Sequence, residues 1–233
     1  MRLFLGCFLF LSFFKGFSQG KEFSIDTLHV KIDSLYREDQ FYTGLIYNSL
    51  LNKPSDFSQQ RVSFGFSAGF LRDMPVNKSR TVAIAPGIGF VYNNYIQNLA
   101  ITGTNENPIY TVIPSTENYH RNKFEQFLVE IPIEFRWRTS TPEVYKFWRI
   151  YGGFKFSYLL LDRSVYDNQT KIIIRNNKDF NEFLYGAYIS AGYNTINLYA
   201  YYGLNSLFKS TAKVNDESIK MNALSIGIMF YIL

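Results

Sequence analysis

The chain has 233 residues, 47% of them hydrophobic and 18% aromatic, with a formal net charge of +5. Its mean hydropathy is only -0.10, so the apolar residues are dispersed, and after residue 18 no run approaches the roughly 20 a membrane helix requires. The length fits one domain, and without a basic run interleaved with aromatics the charge gives no nucleic-acid reading.

Residues 1–18 read as a secretory signal peptide: Arg2, the apolar core LFLGCFLFLSFF, then Gly16, Phe17 and Ser18, with cleavage near Ser18–Gln19. Cys7 lies inside it with too short an apolar run before it for a lipoprotein signal, so the mature chain has no thiol chemistry. Loss of Arg2 and Lys15 lowers the charge to +3, from 22 basic and 19 acidic residues. Residues 19–39 form a periplasmic lead-in in which Leu28, Ile32 and Leu35 have helical spacing behind the capping pair Asp26-Thr27.

From residue 40 onward the side-chain period is two, which means strands. The first is read at 40–50, where alternation is weak. The second, 61–71, sets Phe64, Phe66, Ala68 and Phe70 against Ser63, Gly65, Ser67 and Gly69. The third, 81–94, sets Val82, Ile84, Ile88, Phe90 and Tyr92 against Ala83, Ala85, Gly87 and Gly89.

The fourth and fifth strands, between Lys123 and Arg163, carry the strongest pattern. Phe127, Val129, Ile131, Ile133, Phe135 and Trp137 form one row, with Gln126, Glu130, Glu134, Arg136 and Arg138 between them. Trp148, Ile150, Phe154, Phe156, Tyr158 and Leu160 repeat the row, with Arg149, Tyr151, Lys155 and Ser157 between. A soluble sheet would not turn so many large apolar groups toward water. Lipid outside and a packed polar lumen inside account for both faces.

The sixth strand is read at 181–194, with Phe183, Tyr185, Ala187, Ile189 and Tyr193 outward and Glu182, Gly186, Tyr188 and Ser190 inward. The seventh, 196–207, turns Tyr199 and Tyr201 inward, and the eighth, 219–232, turns Ile226, Ile228, Phe230 and Ile232 outward. These predict an all-β fold, an eight-stranded antiparallel transmembrane β-barrel over 40–233. Short periplasmic turns at 72–80, 139–147 and 194–195 alternate with long extracellular connections at 95–122 and 163–180. Trp137, Trp148, Tyr158 and Phe230 are placed at the membrane interfaces. The closing run Ser225–Ile232 resembles the terminal-strand signal by which outer-membrane barrels are recognised for assembly, departing from it in ending one residue later, on Leu233, and in carrying Ile232 where Phe is commoner.

Eight strands enclose an interior just wide enough for side chains to fill. Glu130, Glu134, Arg136, Arg138, Arg149 and Lys155 are therefore expected to form a lumenal ion network, with the two glutamates meeting Arg149, Lys155 or Arg136. For catalysis the mature chain offers His29 and His120, neither on a strand, and no G-x-S-x-G motif. The acidic alternatives are a paired-carboxylate site at Glu130 and Glu134 and an outer-rim cluster of Glu117, Asp162 and Asp167. No metal-ligand spacing occurs, and no cofactor and no enzymatic activity are expected.

Four segments, REDQFYTGLIYN at 37–48, GFLRDMPVNKSRTVAIAPGIGFVYN at 69–93, FLVEIPIEFRWRTS at 127–140 and IYGGFKFSYLL at 150–160, carry a resemblance. With the signal peptide ending at Ser18–Gln19, the chain resembles the PorT-like outer-membrane β-barrel family of Bacteroidota. The resemblance implies an eight-stranded outer-membrane barrel, either a component associated with type IX protein secretion or a relative of it, and no catalytic residues. Outer-membrane lipid, barrel-assembly machinery and secretion-system subunits are the expected partners. A narrow porin-like channel and a rim enzyme are the alternatives. Residues Ile172–Ile174 are read as a hairpin that prolongs strands five and six for partner contact.

Overall fold

The computed structural model describes residues 37–59, 61–139 and 147–232. The segment read as a signal peptide, nearly all of the segment read as a lead-in and most of the 139–147 turn lie outside the described residues. Eight strands form the wall: β1 (Gln40–Leu51), β2 (Phe64–Leu71), β3 (Val82–Ile96), β4 (Arg121–Arg138), β5 (Trp148–Asp167), β6 (Phe183–Tyr193), β7 (Ile196–Gly203) and β8 (Asn222–Ile232). Each pairs antiparallel with its chain neighbours, and β8 returns to pair with β1 from Phe41↔Ile232 to Leu51↔Asn222. Closure leaves no sheet edge in the wall, so its backbone groups pair strand to strand, as lipid demands.

Facing follows the sequence periodicity on all eight strands. Phe64, Phe66, Ile88, Phe90, Ile131, Phe135, Phe154, Phe156, Ile189 and Leu198 are exposed, while Glu130, Glu134, Arg136, Lys155, Tyr188 and Tyr199 are buried. One irregularity interrupts this. Between β4 and β5 the register runs Phe127↔Leu161 and then Leu128↔Leu159, so Leu160 is an extra residue on β5. Leu160 and Leu161 both face out at this bulge, and the alternation beyond it is inverted. Asp162 consequently turns inward and is buried. Glu182, read as inward, is exposed and lies ahead of β6, where its side chain meets Lys209 at 3.7 Å.

The lumen is filled by apposition of large and small residues. Glu130 lies opposite Gly89, Glu134 opposite Ala85 and Gly153, and Lys155 opposite Gly186. Tyr42 reaches across the sheet surface, its ring over Gly69 and its hydroxyl over Gly89. A Cβ on Gly89 would stand 2.0 Å from that hydroxyl and 2.8 Å from the Ala68 carbonyl oxygen. Gly89→Val is therefore expected to displace Tyr42 and destabilise the barrel by about 1–3 kcal/mol. The urea midpoint of the micelle-refolded barrel measures this, and an unshifted midpoint would show that Tyr42 has another seat.

Two of the periplasmic turns lie within the described residues. Asn194 takes a left-handed φ of 57° in the two-residue connection of β6 and β7, a conformation asparagine tolerates. The 72–81 turn is longer and includes a short pairing of Met74 and Pro75 with Ile84 and Ala83.

The extracellular end is packed, not a set of loose loops, and joins the same buried cluster as the lumen. Leu99–Gly103 and Pro108–Val112 form a hairpin, and Lys171–Arg175 pairs back onto the outer end of β5. The Ile172–Ile174 segment thus prolongs strand five alone; β6 begins only at Phe183. A further small hairpin, Lys213–Val214 with Glu217–Ser218, lies in the connection from β7 to β8. Leu99, Ile101, Tyr110, Phe124, Phe180, Leu207, Phe208, Ile219 and Met221 are all buried together. The Phe180 and Phe208 rings pack at a tilt with centroids 4.7 Å apart, and Phe124 meets both at 5.4 and 5.8 Å.

Candidate functional site

The lumenal network has two tiers. In the upper one, the Lys155 ammonium donates to Glu130 Oε1 at 2.9 Å, and the Tyr42 hydroxyl donates to the same oxygen at 2.7 Å. Lys155 Nζ also lies 5.0 Å from the ring centroids of Tyr188 and Tyr199 and 5.6 Å from that of Tyr42. This cage of rings stabilises the cation on the sides that no carboxylate reaches.

The lower tier is centred on two carboxylates. Glu134 accepts from Arg136 Nε at 2.7 Å, from the Tyr231 hydroxyl at 2.9 Å and from the Tyr188 hydroxyl at 3.1 Å. Asp73, on the turn after β2, receives both terminal nitrogens of Arg138 at 2.8 and 2.9 Å and Arg136 Nη1 at 3.0 Å. Glu38 joins them: its amide donates to Asp73, and its carboxylate lies 3.5 Å from Arg138. Burial pushes the Asp73 carboxyl up, but the Arg138 hydrogen bonds and the Arg136 charge outweigh it and hold the group below the usual carboxylate range.

The two glutamates thus meet Lys155 and Arg136, and neither meets Arg149. The Arg149 guanidinium is buried, lies opposite Arg138 in register and stacks 4.4 Å from the Phe147 ring, with Nε and Nη1 making no hydrogen bond among the described residues. Asp73 and Glu38 were absent from the predicted network. Asp73 falls in the 72–80 stretch whose sequence predicts only a turn, and a period of two says nothing of a turn residue that reaches into the lumen. A buried arginine count exceeding the carboxylates on the strands was the available signal.

Room inside is small. At the level of Glu134, Lys155, Tyr188 and Tyr231 the void is about 10 Å³, less than or about that needed for one water. Above Lys155 a cavity of about 40 Å³, lined by Asn93, Tyr95, Tyr201 and Ser225, has space for a few waters.

The predicted rim cluster does not assemble. Asp162 is buried and accepts from the Asn177 amide at 3.1 Å, whereas Glu117 accepts from Tyr166 and Asn168 at 3.3 and 3.2 Å. Asp167 sits at the end of β5 opposite Lys171 and Arg121, its carbonyl accepting from the exposed His120 amide. In the cap, Asp179 accepts from Thr211 at 2.6 Å and from Tyr110 at 3.1 Å, and burial pushes the Tyr110 hydroxyl pKa up.

On the outside, Trp137 and Trp148 lie at the turn end of β4 and β5, with Trp148 edge-on to Tyr193 at 5.5 Å. Phe230, half-buried, pairs with Ile196 and Thr43 toward the same end. Tyr158 is higher on the wall, 5.0 Å from Phe183.

The family model of the outer membrane protein beta-barrel domain matches residues 17–209. No curated protein matches. Among solved structures, the chain is similar to Ail, the attachment invasion locus protein of Yersinia pestis. In complex with the heparin analogue sucrose octasulfate, Ail gives a TM-score of 0.38 at 8% identity, covering 83% of this chain and 97% of that one. A second Ail structure gives 0.36 at 10% identity, covering 84% and 99%.

Proposed function

The chain belongs to the outer membrane protein beta-barrel domain family, and from that premise we propose that it is a non-enzymatic outer-membrane barrel that works by contact, as a subunit or assembly factor for protein secretion. The observation that carries this reading is the plugged lumen: buried, hydrogen-bonded charges leave about 10 Å³ at the Lys155–Glu134 level. A solute path would require those charges to separate, and each costs several kcal/mol to leave unpaired. What remains available for function is surface, above all the folded extracellular cap.

The secretion part of the proposal rests on the likeness of four segments to PorT-like barrels. Those segments, 37–48, 69–93, 127–140 and 150–160, hold Glu38, Asp73, Glu130, Glu134, Arg136, Arg138 and Lys155. The likeness therefore follows the network that closes the lumen.

Tagged barrel drawn from gently solubilised outer membranes is expected to bring secretion-machine subunits at near-stoichiometric levels, and to show no stepwise conductance in planar bilayers. Recovery of the barrel alone would remove the secretion reading. Steady single-channel steps from wild-type protein would favour the narrow channel instead.

A further inference from the structure

We propose that the outer wall of β3–β5, where the apolar band ends on the extracellular side, is a binding site for a phosphorylated lipid of the outer leaflet. Height comes first. From Trp137 up to Phe127 on β4 is ten residues, which at about 3.4 Å per residue and a tilt of about 40° spans roughly 26 Å along the membrane normal. An outward apolar band is about 25 Å tall. Phe127 therefore marks its upper edge, and Glu125 and Lys123 stand at headgroup level.

The β5 bulge then decides which charges face the lipid. Because Leu160 is extra, Leu161 and Arg163 point outward and Asp162 inward. Arg163 lies directly opposite Arg175, an arrangement in which like charges repel. One neighbour offsets this in part: Glu125, directly across from Arg163 and 3.7 Å from it, already accepts from Lys123 and, at 2.7 Å, from the Tyr92 hydroxyl, and Asp162 also borders the groove. Arg163 Nε is buried without a hydrogen-bond partner, and Arg175 makes no ion pair among the described residues.

An open groove of about 360 Å³ runs beside the two guanidinia, walled by Tyr92, Phe127 and Leu161 and bordered by Glu125 and Asp162. Apolar wall below and paired cations above is the outline of an amphiphile: acyl chain along Phe127 and Leu161, phosphate between Arg163 and Arg175. Guanidinium is the cation suited to gripping phosphate through two parallel hydrogen bonds. A second, polar groove of about 410 Å³ is lined by Arg61, Arg121 and Lys123, with Glu117 opposite, and adjoins the first through the Lys123–Glu125 pair. It gives room for the rest of a headgroup. Rim charges are commonly just solvated, but a solvated rim needs neither an arginine pair in register nor a buried, unpartnered Nε.

Native mass spectrometry of the purified full chain in detergent, titrated with diphosphoryl lipid A, tests this. Wild type is expected to retain one lipid, and Arg163→Gln/Arg175→Gln to lose about tenfold or more in affinity, two charge-assisted contacts being removed. Lys171→Gln, a nearby basic change outside the groove, is expected to bind as wild type. Heat-modifiable gel migration verifies that each variant is a closed barrel. Equal retention by the double variant would overturn the site. So would equally tight binding of dephosphorylated lipid A, or full displacement by inorganic phosphate, since either removes half of the amphiphile.

Discussion

Asp73→Asn is expected to destabilise the barrel by about 3 kcal/mol, more than most single changes to a surface turn. The wild-type carboxylate binds Arg138 through two hydrogen bonds and Arg136 through a third, with both guanidinia and Asp73 fully buried. Removing one partner of a buried ion network costs about 3–5 kcal/mol because the cations stay behind in low dielectric. The lower end applies here, since Glu134 still faces Arg136 and Glu38 still faces Arg138. Asparagine keeps the shape but replaces one acceptor oxygen by an NH2 donor facing arginine or amide donors, so urea midpoints of the two proteins read the loss of charge and of one acceptor together.

The pH dependence has a definite sign. Because the folded Asp73 pKa is depressed, its contribution is fully present above the unfolded value of about 3.9 and is lost as pH falls through the lower folded value. The gap between wild type and Asp73→Asn should therefore hold from neutral pH down to about 5 and close below about 3.9. A gap that stays constant to low pH would mean that hydrogen-bond geometry, not charge, carries the effect.

Glu130→Leu is expected to cost about 3–5 kcal/mol, and adding Lys155→Met to recover most of it. Alone, the first change leaves the Lys155 ammonium inside the lumen with the rings of Tyr42, Tyr188 and Tyr199 and no carboxylate in contact. The double variant removes both charges and substitutes side chains of similar volume, which in buried sites is often neutral or stabilising. Lys155→Met alone leaves Glu130 with the Tyr42 hydroxyl, so its cost should be the smaller of the two singles. The double-mutant cycle in urea unfolding reads the coupling directly. Additive costs would show that Lys155 and Glu130 do not hold each other in the lumen. Bilayer conductance on the same double variant asks whether the tier also seals the barrel.

These two tiers differ in how they could be read. Glu130, Glu134, Arg136 and Lys155 lie on strands, where a period of two assigns each to the inner face without knowledge of any neighbour. Asp73 lies on a turn with no period, and only closure of β2 and β3 beside β4 brings it under Arg138. The pairing of Glu134 with Arg136 and of Glu130 with Lys155 was among the alternatives open in the sequence. Arg149 was an equal candidate by alternation, yet its register opposite Arg138 keeps it from both glutamates. The 95–122 and 163–180 segments were legible as long and extracellular. That they pack into an aromatic core around Phe124, Phe180 and Phe208 was not, because those contacts join connections distant in the chain.

Side-chain alternation is a local property of extended backbone, so the amino-acid sequence by itself determined which face of each strand meets lipid and which fills the lumen. With the count of such strands it determined the closed eight-stranded wall and its charged interior. Register, by contrast, is fixed between strands. One extra residue at Leu160, visible only against β4, turned Asp162 inward and Arg163 outward, and so decided which charges face the outer leaflet.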